Sequence, residues 1–256
     1  MPLFANTQID FGYPWWLSYG HLPLLVTTVA LLFFGYRRKW PRLLLLSLGV
    51  LAVWSGAAFG VARFALPVHG RGVLPTENFL QSGVGRVLDI GAGTGRSSIM
   101  VLEARPAATV VALDLFAESF ERHFGAEGTP QQRLLANLQA AGVDNRATIQ
   151  AGDMLQLPFG ANEFDAVVSA YAIDHVGRQG AERALSEAAR VVKPGGDFLL
   201  LVVANDSWAQ FAFGPLLMHG GPRGAEWWTE QVRSAGFEVV EQGTQPATIY
   251  VLARRE

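Results

Sequence analysis

Three glycines and a series of aspartates carry the chemistry-bearing pattern of this 256-residue chain. The run Gly85-Arg86-Val87-Leu88-Asp89-Ile90 takes an aliphatic stretch into Gly91-Ala92-Gly93-Thr94-Gly95, and Ser97 to Arg105 then suits a helix that Pro106 stops. Glycines at such a strand-to-helix turn let the backbone bend sharply and let a ligand lie directly against it. The helix start turns free amides outward at the same place. A dinucleotide loop would read G-x-G-x-x-G, but the spacing here is G-x-G-x-G and position 96 is arginine. Asp89 stands inside the strand end, where a carboxylate would repel a pyrophosphate and attract a cation. The next aliphatic run, Thr109 to Asp114, ends in an acid about 20 residues beyond the loop, the spacing at which ribose hydroxyls are recognised. Capping of a following helix is the other reading of Asp114.

Further along, Ala147-Thr148-Ile149-Gln150 leads into Ala151-Gly152-Asp153-Met154, and Leu157-Pro158-Phe159 leads to the run Phe164 to Tyr171. The continuous apolar character of that run marks a central parallel strand. Ser186 to Val192 reads as helix, Lys193-Pro194-Gly195-Gly196 as a turn, and Phe198 to Val203 as a fifth strand. In this order the motifs resemble the class I S-adenosylmethionine-dependent methyltransferases, whose first motif is an acid followed by G-x-G-x-G. Within that family they are most similar to the branch of quinone-biosynthetic, lipid and small-molecule methyltransferases. The resemblance runs from about Gly83 to Ala253.

The resemblance implies S-adenosylmethionine as cofactor, whose ammonium and sulfonium suit Asp89 better than a pyrophosphate would. Gly91, Ala92, Gly93 and Gly95 would then hold it, with Asp114 at the ribose. In the family an acid at the position of Asp153 meets the adenine amino group, and the neighbouring side chain, here Met154, packs on the ring. Leu115, Gly152 and Ser169 fall beside these positions and are counted with the cofactor site. The implied fold is α/β, a Rossmann-like doubly wound seven-stranded sheet with the ligand at the carboxyl ends of its strands. Gly236 to Val240 and Thr248 to Leu252 would close it as a final pair. Thr129-Pro130-Gln131-Gln132 reads as an N-cap, a first-position proline and a capping-box glutamine, opening a helix through Ala141. The connection from Leu115 to Gly128 is long enough for a lid or a substrate element, with Phe116 near the adenine and His123 at hand.

Methyl transfer from a sulfonium is an in-line displacement, for which positioning is the main requirement. A base is needed only where the acceptor loses a proton. Tyr171, Asp174 and His175 follow the fourth strand, where the family's acceptor site begins. His175 is the first choice for a base or acceptor ligand, with Tyr171 and Asp174 orienting; a structural role capping the loop is its other reading. Asn205 to Trp228 carries Trp208, Phe211, Phe213, Leu216, Leu217, Met218, His219, Trp227 and Trp228, which suit an acceptor cover or a membrane surface, or simple packing on the sheet. No Asn-Pro-Pro-Tyr follows the fourth strand, and the net charge is −2, so nucleic acid is not an expected partner. The chain has no cysteine, which excludes disulfides and thiolate metal sites and argues against thiolate-dependent arsenic methylation; no metal is expected.

Hydrophobic residues make up 50% of the chain and charged ones 16%, against about 25% charged in soluble domains. Residues 1–70 hold most of the excess. No Asp, Glu, Lys or Arg occurs from Phe11 to Tyr36, nor from Leu43 to Ala62. Both runs reach the ~20 residues that a bilayer crossing takes, and Trp15, Trp16, Tyr19, Tyr36 and Trp40 flank the first like an aromatic belt. A signal peptide would open with basic residues and carry a shorter apolar stretch; here the first charge is Asp10. The expectation is an integral membrane hairpin over residues 1–70 (spans at about 15–36 and 43–62) and a methyltransferase domain over 71–256. Between them Arg63 to Val84 is rich in breakers. The basic turn Arg37-Arg38-Lys39-Trp40-Pro41-Arg42 favours the cytoplasm by the positive-inside rule, whereas the cofactor places the catalytic domain there. The cytosolic domain is preferred, with His21 and Pro23 making the first span the candidate for an interfacial segment. Gly56-Ala57-Ala58-Phe59-Gly60 offers a small-residue face through which copies of the chain would pack as a homo-oligomer.

Such a chain reads as an enzyme methylating a hydrophobic or lipid-like acceptor. A soluble small-molecule acceptor and a non-catalytic cofactor-binding module are the other readings.

Overall fold

The aliphatic run ahead of the glycine cluster forms β1 (Val84–Ile90), central to a seven-stranded sheet in the computed structural model, which describes residues 9–66, 69–116, 129–214 and 223–256. The other strands are β2 (Ala107–Asp114), β3 (Ala147–Ala151), β4 (Phe164–Ala170), β5 (Val192–Val203), β6 (Phe237–Gln245) and β7 (Thr248–Arg255). Their order across the sheet is β3-β2-β1-β4-β5-β7-β6. The first five pair in parallel, and β7 enters antiparallel between β5 and β6. Parallel neighbours need a crossover, which helices supply. The order therefore reverses between β1 and β4, the kind of switch point at which ligands bind.

Apolar side chains on both faces account for the sheet's stability. Leu88, Ile90, Val167, Phe198 and Leu200 are fully buried, and the Phe198 and Phe237 rings stack at 5.0 Å. The helix after β3 and β4 that crosses to β5 (Gly177–Val191) turns Ala181, Ala184, Leu185 and Ala188 inward, the i, i+3, i+4, i+7 stripe of a helix on a sheet. Pro130–Ala140 has the expected N-terminus: the Thr129 side chain accepts from the Gln132 amide and the Gln132 side chain from the Thr129 amide. Lys193 to Gly196, expected as a turn, instead lie inside β5. Val192 pairs with Phe164 and Asp197 with Ala166, so the extra residues form a bulge in which Gly195 takes φ +75°. An irregular ladder accommodates Pro194, which has no amide to donate.

A second compact unit comprises Tyr13–Gly70 and the insertion that begins at Asp206, whereas residues 9–12 group with the sheet. In chain order its helices are α1 (Trp16–Tyr19), α2 (His21–Arg37) and α3 (Arg42–Gly60), extended by a π turn at Val61–Ala65. The sheet unit continues the numbering with α4 (Arg96–Ala104), α5 (Pro130–Ala140) and α6 (Gly177–Val191). Then come α7 (Ser207–Phe213) in the hairpin unit and α8 (Ala225–Ser234) in the sheet unit.

The segments Trp16–Arg37 and Arg42–Ala65 are each long and apolar enough to cross a membrane, and only 17% of either is buried. Two polar side chains on their inner face are satisfied locally: Thr28 Oγ1 donates to the Leu24 carbonyl at 2.8 Å and Ser55 Oγ to that of Leu51 at 2.7 Å. Gly56 faces Leu25, so its small-residue face is used within the hairpin, while Gly60 is open. Helix α7 packs here as well. His21 Nε2 lies 2.7 Å from the Ala212 carbonyl, and Trp54 Nε1 donates to that of Phe211 at 3.3 Å. His21, read as a mark of an interfacial segment, is thus buried against α7. Of the aromatic stretch considered as an acceptor cover, the α7 part belongs to the hairpin unit, while Trp228 is buried among the residues of the sheet core. His123 and Leu216 to His219 lie outside the described residues.

Candidate active site

Strand β1 delivers its last acid and the loop to the switch point. The Gly91 and Ala92 amides both donate to the Leu113 carbonyl, at 2.8 and 3.0 Å, which ties the loop to the end of β2. Gly91 takes φ +75° and a Cβ there would lie 2.3 Å from Ala172 Cβ, so only glycine fits. Gly95, at φ +93°, presses in the same way on Leu134 of α5. These two contacts wedge the loop between α5 and the segment leaving β4.

The loop in turn holds its acids. Asp114 Oδ2 accepts the Gly93 amide at 2.9 Å, and Oδ1 accepts that of Phe116 at 2.9 Å. The Gly152 amide donates to the Asp114 carbonyl at 3.0 Å, bringing the end of β3 alongside. Met154 Cε lies 3.3 Å from the point where a Gly91 Cβ would sit. Asp153 is exposed and accepts the Leu155 amide on Oδ1 at 2.8 Å, and Leu115 is 62% exposed beside Asp114. Asp89, Gly91, Ala92, Gly93, Gly95, Asp114, Leu115, Gly152, Asp153 and Met154 therefore gather at one edge of the sheet. Ser169 differs: it is fully buried and donates its hydroxyl to the Ile90 carbonyl at 2.9 Å, bracing β4 to β1 behind the loop.

Asp89 has no exposure at all. Its Oδ2 accepts hydroxyls from Ser97 at 2.7 Å and Ser98 at 2.5 Å, whereas Oδ1 is buried with no hydrogen-bond partner among the described residues. Burial pushes this carboxyl up to about 6, against the opposing pull of the Ser98 and Ser97 hydroxyls and with the Asp114 charge adding to the rise. A buried carboxylate with one unmatched oxygen favours a cationic neighbour. Sequence reading missed the two serines, whose signal was their place eight and nine positions after Asp89 at a helix start.

The residues expected at the acceptor end follow β4. Tyr171 takes φ +55°; its amide donates to the Leu201 carbonyl at 2.8 Å, and its hydroxyl pairs with Thr248 Oγ1 at 2.8 Å. Asp174 Oδ2 accepts the Val203 amide at 3.1 Å, while Oδ1 is buried without a hydrogen bond among the described residues. His175 Nε2 stands 3.9 Å from that oxygen, beyond hydrogen-bond reach, and the ring is 72% exposed. The three residues bracket Ala172, the residue pressed against Gly91, so they stand beside the glycine loop.

Residues 87–196 match the family described as methyltransferase domain. Over 119 residues the chain is 34% identical to the ubiquinone/menaquinone biosynthesis C-methyltransferase of Dinoroseobacter shibae, covering 45% of this chain and 41% of that one. Over 151 residues it is 32% identical to the demethylmenaquinone methyltransferase of Mycobacterium tuberculosis, covering 58% and 55%. The chain thus spans about half the length of the curated relatives it matches. Among solved structures, an O-methyltransferase family protein from Burkholderia thailandensis shares the fold with a TM-score of 0.54 at 18% identity, over 94% of this chain and 70% of that one. With a glycine loop wedged at the switch point and acids at the ends of β1 and β2, residues 87–196 have the make-up of a methyltransferase domain of the kind that uses S-adenosylmethionine.

Proposed function

We propose that this protein transfers a methyl group from S-adenosylmethionine to a hydrophobic acceptor resident in a membrane, a quinone-type ring carrying an apolar tail. The carrying observation is the knot of Gly93, Asp114 and the buried Asp89 at the sheet's carboxyl edge, which suits a nucleoside bearing cationic groups. The cofactor supplies an electrophilic methyl on a sulfonium. The glycine loop, against whose backbone a ligand can lie, and Asp114 would hold it, with Asp153 and Met154 at the adenine and Asp89 opposite positive charge. Both relatives named above act on quinones, and the two apolar segments give the chain a means of meeting such a substrate in the bilayer. Anchoring raises the local concentration of a bilayer-borne acceptor without any new contact. Joining a methyl to a ring carbon displaces a proton, which His175 accepts; Asp174, 3.9 Å away, stabilises the resulting cation. Tyr171 serves by fixing the backbone, because its hydroxyl is engaged with Thr248.

The test uses the full chain in lipid nanodiscs with isotope-labelled S-adenosylmethionine and demethylated quinones of long and short tail. Labelled product is expected from the long-tailed acceptor, and His175→Ala should lower kcat by about 10²-fold or more while the KM for the cofactor holds. Methylation of water-soluble phenols alone would refute the acceptor, and an undiminished kcat in His175→Ala would refute the base.

A further inference from the structure

The segment ahead of the hairpin comes back to the glycine loop. Phe11 is 3% exposed, and next to it the Gly12 amide donates to Asp10 Oδ1 at 2.8 Å in a tight turn. One side chain of α5 clasps this turn. Asn137, also 3% exposed, accepts the Asp10 amide on Oδ1 at 2.9 Å and donates Nδ2 to the Asp10 carbonyl at 2.8 Å. The same Nδ2 donates to the carbonyl of Thr94, between Gly93 and Gly95, at 2.9 Å. Thr94 closes the ring by donating its hydroxyl to the Phe11 carbonyl at 3.0 Å. Arg133, one turn earlier on α5, stands 3.7 Å from the Asp10 carboxylate.

The loop needs such support. Three glycines at positive φ give it little stiffness of its own, and the hydroxyl and carbonyl of a buried Thr94 must both find partners. Asn137 and the strap satisfy both. In doing so they hold the loop in the one arrangement where the Gly93 amide meets Asp114. A loop released from the clasp would have to be ordered afresh by each ligand, and that ordering would weaken binding.

We infer that Asn137 is a positioning residue, and Asp10–Gly12 a strap, that together set the affinity of the glycine loop for its cofactor. The inference rests on the reading that this loop holds S-adenosylmethionine. It makes residues ahead of the membrane hairpin part of the cofactor site.

The experiment titrates S-adenosylhomocysteine calorimetrically into the full chain in nanodiscs, comparing wild type with Asn137→Ala, a deletion of residues 2–12, and the two combined. Because the clasp consists of a few ordinary hydrogen bonds, each single change should weaken binding about tenfold. The combination should weaken it no more than either alone, since both break the same clasp. In steady-state assays the KM for S-adenosylmethionine should rise while kcat and the acceptor KM hold, a split that general loosening of the fold would not produce. Should Asn137→Ala fail to fold, the deletion decides, since it removes no residue of the sheet or its helices. Affinity unchanged within about twofold, or tighter binding as expected of a plug, would overturn the positioning role. If wild type itself does not bind S-adenosylhomocysteine, the cofactor reading falls and the strap with it. If wild type binds and the variants bind equally, only the strap falls.

Discussion

Asp89 concentrates the electrostatic stress of the domain in one side chain. Its carboxyl is raised from 3.8 to about 6, chiefly by burial, because two serine hydroxyls on one oxygen do not replace the water it lost. A folded-state value above the unfolded one gives stability that is complete below the unfolded value and lost as pH rises through the folded one. The free protein should therefore lose up to about 3 kcal/mol between roughly pH 4 and pH 7 on account of this group. Asp89→Asn should flatten that part of the stability–pH curve, as measured by denaturant unfolding of the ligand-free chain. An unaltered slope would show that the carboxylate is not under strain. Asp89 itself was legible from its place before the loop. Its serine partners were not, because a Ser-Ser pair at a helix start more often reads as a capping signal.

At the scale of elements, the close approach of Gly91 to Ala172 brings the glycine loop against the segment leaving β4, where the acceptor residues are proposed. Gly91→Ala would place a methyl 2.3 Å from Ala172 Cβ on a backbone at φ +75°. The expected cost is about 2 kcal/mol or more from clash and strain together, with loss of S-adenosylhomocysteine binding. Adding Ala172→Gly relieves the clash but not the strain, so partial recovery of stability in thermal unfolding should follow. No recovery would mean that the backbone conformation alone excludes a side chain. Helices and strands themselves followed local rules well: Thr129, Pro130 and Gln132 announce the start of α5, and aliphatic runs announce β1, β2 and β4. The bulge in β5 did not, since Lys193-Pro194-Gly195-Gly196 has the composition of a turn and only the pairing of the flanking Val192 and Asp197 with β4 draws it into the sheet.

The whole molecule poses a problem of sides. Helices of 17 and 19 residues rise ~25 and ~28 Å, close to the hydrocarbon thickness of a bilayer, and on the proposed anchoring two crossings would return the chain to the side it left. A cytosolic catalytic unit then puts Arg37, Arg38, Lys39 and Arg42 on the far side, against the usual charge bias. Because the chain has no cysteine, Lys39→Cys and Glu256→Cys each give a single thiol for a membrane-impermeant maleimide. In intact cells Lys39→Cys should label and Glu256→Cys should label only after lysis; the reverse pattern would place the domain outside. The sequence by itself determined the glycine loop, the order of the acids around it and the two apolar runs, because each is a local pattern of residue type and spacing. Only the tertiary structure decided which chain segments share a unit, that α7 packs on the hairpin, and that Asp10 and Phe11 clasp the glycine loop. Those bonds join residues 83 to 191 positions apart, and what selects them is the need of buried polar groups for partners, a condition that exists only once the chain has folded.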